Sequence, residues 1–169
     1  LIALIGDIRA VVPEALRADE ARWIRAMFGR KAHRLGLSPA PDESEETRQL
    51  RPALVKFVID AGDDRKLGAK AIVLAKRWLQ DRSAVDASMV QTVLEGAARH
   101  GNRELFALFR AELQKPRDRR ERNNLLTAFG SFDDPALIDS ALGLLLSDEL
   151  DIREAMQIVW MLSEDARHG

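Results

Sequence analysis

Three times the chain breaks at a polar turn and restarts with an acid or amide three residues ahead of a leucine: Asp64 to Leu67, Asn102 to Leu105 and Asp134 to Leu137. The restarts lie about 32 to 38 residues apart, the length of one helix–turn–helix unit in a helical solenoid. A lone hairpin cannot bury its apolar stripe, so such units must stack. The spacing predicts an all-α chain, an α-α superhelix of stacked antiparallel helix pairs of HEAT or armadillo type.

The apolar residues between the turns recur every three or four positions, as a helical period requires. Leu50, Leu54, Phe57, Val58 and Ala61 form one stripe, answered after the turn by Leu67, Ala71, Leu74, Ala75, Trp78 and Leu79. Met89, Val90, Val93, Leu94, Ala97 and Ala98 form the next, answered by Leu105, Leu108, Phe109 and Leu113. A third pair carries Leu125, Leu126 and Phe129, then Leu137, Ala141, Leu144 and Leu145, and a last helix shows Ile152, Ala155, Met156, Val159 and Trp160. Ahead of the regular array, residues 1–12 and 14–35 read as a pair divided by Pro13, the second with Leu16, Trp23, Met27 and Phe28 on its apolar side. The Pro-rich 36–42 stretch is the linker, leaving 43–169 as regular hairpins of a single domain.

Caps support these boundaries. Asp118 with Glu121 has capping-box spacing, and Asp134–Pro135 places an N-cap before a proline at the first helical position. Gly68, Gly96 and Gly143 fall inside helices at about 1 kcal/mol each relative to alanine, which close helix packing would explain.

Composition narrows function. With 26 Lys plus Arg against 27 Asp plus Glu, no net field draws the chain to nucleic acid or an anionic membrane. Having no cysteine, it has no disulfide, thiolate nucleophile or Cys-ligated zinc. His33, His100 and His168 stand near helix ends without H-E-x-x-H spacing, a placement that suits helix dipoles rather than a metal. No Gly-rich phosphate loop or Ser/His/Asp arrangement is present. The opening LIALIGDIRAVV is far short of the ~20 residues of a spanning helix, and Leu1 reads as an interior position of a longer polypeptide. Both ends carry apolar stripes, so further protein is expected on either side; the sequence leaves localisation open, with the cytoplasm as the default expectation.

The run KPRDRRER at 115–122 holds five cations and two acids. Its Arg119, Arg120 and Arg122 could receive a peptide carboxylate or phosphate through guanidinium forks, or form a solvated connection with internal ion pairs. Trp23, Trp78 and Trp160 lie on or beside apolar stripes and read as core.

The segments LGLSPAPDESEETRQLRPALVKF at 35–57, AKAIVLAKRWL at 69–79, VQTVLEGAARHGNRELFALFRAEL at 90–113 and RNNLLTAFGSFDDPALIDSALGLLLSDELDIRE at 122–154 are together informative. They resemble the C-terminal helical domain of M1-family zinc aminopeptidases, the group of the puromycin-sensitive, insulin-regulated and endoplasmic-reticulum enzymes. The most specific line is L-L-x-A-x-G-x-F-x-D-P-x-L from Leu125 to Leu137; Leu37 departs from the pattern, standing where Trp is frequent. The resemblance implies an α-superhelix that walls a peptide chamber and supports domain closure. The zinc, its ligands and the catalytic groups would lie in a catalytic domain absent from this chain, which would itself hold no cofactor and catalyse nothing. Its partners would be that catalytic domain and the peptide substrate, with no nucleic acid and no membrane. Residue by residue it reaches Glu43, Leu50 and Arg51, which serve as peptide or interdomain contacts or as a structural ion pair. From the hairpin period alone, a protein-binding scaffold is the alternative, and a nucleic-acid module using Arg119–Arg122 a third.

Overall fold

The computed structural model describes residues 12–115, 119–145 and 156. After a short turn at Glu14–Leu16 come α1 (Arg17–Ile24), a π-helical turn at Arg25–Gly29 and α2 (Arg30–Leu35). Then follow α3 (Glu45–Asp60), α4 (Arg65–Gln80), α5 (Val90–Arg99), α6 (Arg103–Leu113), α7 (Arg119–Phe129) and α8 (Pro135–Leu145). All regular elements among the described residues are helices, with no strand, as an α-α superhelix requires. Alternate helices lie side by side: α3, α5 and α7 share one layer, while α4 and α6 meet in the other.

Helix starts follow local chemistry. Ser44 accepts from the Thr47 amide at 3.3 Å, with Glu45 and Glu46 in the first turn where the dipole favours acids. Asp64 Oδ1 accepts from the amides of Lys66 (3.1 Å) and Leu67 (3.0 Å), Asn102 from Leu105 (3.1 Å) and Asp134 from Ala136 (2.9 Å). All three restarts are therefore N-caps. The α3–α4 turn needs one left-handed residue, Asp63 at φ 46°, a conformation aspartate tolerates. Pro52 lies inside α3, where it removes one backbone bond. Of the expected capping box, Asp118 lies outside the described residues; Glu121 accepts from Arg82.

Three expectations are corrected by packing. Leu16, Trp23 and Met27 are 52%, 48% and 62% exposed, because the first helical segment buries Ala21, Ile24 and Ala32 instead. Phe28, the fourth expected residue, does face inward, its ring edge-on to Phe57 at 5.7 Å, and the π turn sets it in line with Ile24 and Ala32. Secondly, α5 is buried at every position except Gln91, including Thr92, Glu95 and Arg99, since α4 covers one flank and α3 and α7 the others. Thirdly, Leu108 is partly exposed while Phe106 turns inward to meet Phe129 (5.0 Å) and Phe132 (5.2 Å).

Gly68 and Gly96 do mark close approach. A Cβ on Gly68 would stand 2.1 Å from the His100 ring, and one on Gly96 2.9 Å from Ile59. Gly143 faces open space, so packing does not explain it. Leu137, Ala141 and Leu144 are buried, and one core cluster runs from Ile24 to Leu144. The expected first helix up to residue 11, Trp160 and most of the last helix lie outside the described residues; Met156 is half-exposed.

Candidate functional site

The Pro-containing linker is held by one side chain. Gly36, at φ 64°, ends α2 in a conformation that favours glycine, and Leu37 turns inward. Arg51 on α3 reaches back to both ends of the segment, donating to the Glu43 carboxylate and, at 3.4 Å, to the Gly36 carbonyl. Both partners of the pair are buried, and desolvation lowers the Arg51 pKa. The geometry of Glu43 and Arg51 is that of a clasp on the linker.

The described cations of the basic run meet different partners. Arg120 donates to the Ala87 carbonyl at 3.1 Å, Arg122 to the Leu113 carbonyl, and Lys115 to Glu112 at 2.7 Å, while Arg119 is exposed. Residues 116–118 lie outside the described residues.

A cation that sequence reasoning passed over stands beside that run. Arg82 lies 4.0 Å over the Trp78 ring, donates to the Trp78 carbonyl, and pairs with Glu121 (3.0 Å) and buried Glu112. One guanidinium thereby ties the end of α4 to α6 and α7. The only local signal is the four-residue spacing from Trp78. A groove of about 170 Å³ opens there, between Trp78, Val85, Val90 and Arg120. Trp78 is core as expected, whereas Trp23 is not.

His33 is more than a dipole partner: its Nε2 lies 2.8 Å from Asp64 Oδ2. Burial pushes the Asp64 carboxyl up, but hydrogen bonds from the Leu67 amide, His33 and the Lys66 amide together hold it below the usual range. Around this pair, Arg25, Arg30, Asp63 and Lys66 line a polar groove of about 540 Å³. His100 packs on Gly68 with Nδ1 3.8 Å from Asp63, and burial lowers its pKa. His168 lies outside the described residues. Lys56 joins Asp60 (2.6 Å) to buried Glu95; burial opposes the ammonium, yet the two carboxylates hold its pKa above that of an ordinary lysine. Among the described residues no group of three His, Asp or Glu side chains could hold a metal ion, and no helix is long and apolar enough to cross a membrane.

Buried charges here connect helix to helix, so fold and site together define an α-superhelical domain held by polar clasps. Over residues 1–168 the chain matches the family described as the ERAP1-like C-terminal domain. It belongs to that family, the C-terminal domain of ERAP1-like M1 aminopeptidases, and so to a larger aminopeptidase polypeptide. No curated protein matches it.

Proposed function

We propose that this chain is the non-catalytic wall of a peptide chamber in a zinc-dependent M1 aminopeptidase. It supports domain closure and the choice of peptides whose N-terminal residue is removed. The family match over 1–168 carries the reading. The layered helices support it, because interlocked stacks present an extended rigid surface to a neighbour. Zinc and the groups that activate water would belong to the catalytic domain, and the partners of this chain would be that domain and the peptide, with neither nucleic acid nor membrane involved.

The test compares the isolated chain with the whole polypeptide on an aminoacyl-fluorophore substrate, with metal analysis of both. Turnover and stoichiometric zinc are expected in the whole polypeptide and in neither case in the isolated chain. Zinc-dependent turnover by residues 1–169 alone would sink the proposal.

A further inference from the structure

The outer face of α4 and the linker flank a groove of about 530 Å³ whose lining includes the core residue Leu37 and the clasped Gly36. Leu37 and Ser38 form one wall, and Ala69, Val73 and Leu74 the other. Val73 is 51% exposed although it sits mid-helix beside apolar neighbours. Lys70 and Arg77 bound the α4 wall and make no side-chain hydrogen bond or ion pair among the described residues. Seven residues apart on one helix, they stand about 10.5 Å from each other along the axis.

Carboxylates that meet both cations from one face would flank an apolar side chain seated on Val73. A helix with acids at i and i+7 and apolar residues at i+3 or i+4 matches both the charges and Val73. The patch is also small, and a free peptide would lose most of its binding energy to ordering on so few contacts. A segment on the same polypeptide avoids most of that cost through its high effective concentration.

We infer that the Leu37–Val73 groove docks an amphipathic helix from another domain of the same polypeptide, its apolar residue on Val73 between two carboxylates that pair with Lys70 and Arg77. This rests on the chain being one domain of a longer aminopeptidase. Arg51, which grips both ends of the linker, sets the far wall and links the buried clasp to the docking face.

The experiment places the photo-crosslinker benzoylphenylalanine at Val73 in the whole polypeptide, maps the product by mass spectrometry, and records aminopeptidase turnover on the same preparation. The expected product joins position 73 to a site in the same polypeptide outside residues 1–169, on a helix with acids seven residues apart. Lys70→Glu with Arg77→Glu should lower its yield at least fivefold, with circular dichroism unchanged. Full turnover without that crosslink overturns the docking inference and leaves the proposed function standing. A crosslink only to a second copy or to added peptide overturns it as well, as does a yield indifferent to charge reversal. Loss of turnover in the unsubstituted polypeptide would sink the proposed function, while the crosslink still reports on the groove.

Discussion

His33 Nε2 lies 2.8 Å from Oδ2 of Asp64, whose other carboxylate oxygen caps α4. One aspartate thus starts a helix and anchors another element 31 residues earlier in the chain. The Asp64 carboxyl is held low when folded and titrates near 3.9 when unfolded, so its contribution is complete above about pH 4 and lost as pH falls through the folded value. His33→Ala should destabilise the chain by about 1 kcal/mol at pH 7, a loss that shrinks as pH falls through the folded value of the Asp64 carboxyl. Urea unfolding over a series of pH values from 7 downward checks this; equal losses throughout would show that the pair does not couple as described.

The Glu43–Arg51 pair is almost wholly buried, 6% and 3% exposed, so truncating one partner strands the other's charge. Arg51→Ala should cost about 3–5 kcal/mol. The double change Glu43→Leu with Arg51→Met should recover most of that loss, because it removes both desolvated charges. Chemical unfolding of the single and double variants measures the difference.

Gly68 gives its space to His100. Gly68→Ala should cost about 1–3 kcal/mol, since the new methyl would stand 2.1 Å from the ring, and the penalty should largely vanish in a His100→Ala background. Burial lowers the folded-state pKa of His100, so the unfolded chain takes the proton first and stability falls as pH drops through about 6.5. His100→Ala should flatten that part of the stability profile. A double-mutant cycle repeated at pH 7.5 and 5.5 reads both effects.

Arg82→Ala should cost about 2–3 kcal/mol, as it takes the guanidinium away from buried Glu112 and uncovers the Trp78 ring. Arg82→Lys should restore less than half of that loss, because an ammonium cannot reach Glu112 and Glu121 together in the fork geometry. Thermal melts rank the three proteins, and a lysine variant equal to wild type would count against the fork.

The restarts at Asp64, Asn102 and Asp134 were readable because an N-cap is written within three residues: an oxygen-bearing side chain, then the amides it meets. Stripes such as Leu54–Phe57–Val58 and Leu67–Ala71–Ala75 were readable for the same reason, as helical period is local. Glu43 and Arg51 were legible as members of a motif. That Arg51 also holds Gly36 was not, because the turn that brings the carbonyl near depends on the linker's path. Arg82 was missed altogether: Glu112 and Glu121 are 30 and 39 residues away, and no local pattern joins them.

Local chemistry in the chain thus settles where helices begin, how long they run and that they must stack, since each of those depends on neighbours within about four positions. Stacking then chose among faces that the sequence left equivalent. Ile24 and Ala32 went inward while Trp23 and Met27 stayed out, α5 was enclosed at every position but Gln91, and Val73 was left open beside two cations without a side-chain partner among the described residues. Burial depends on what packs against a helix, and the helices that supply that surface lie tens of residues away along the chain.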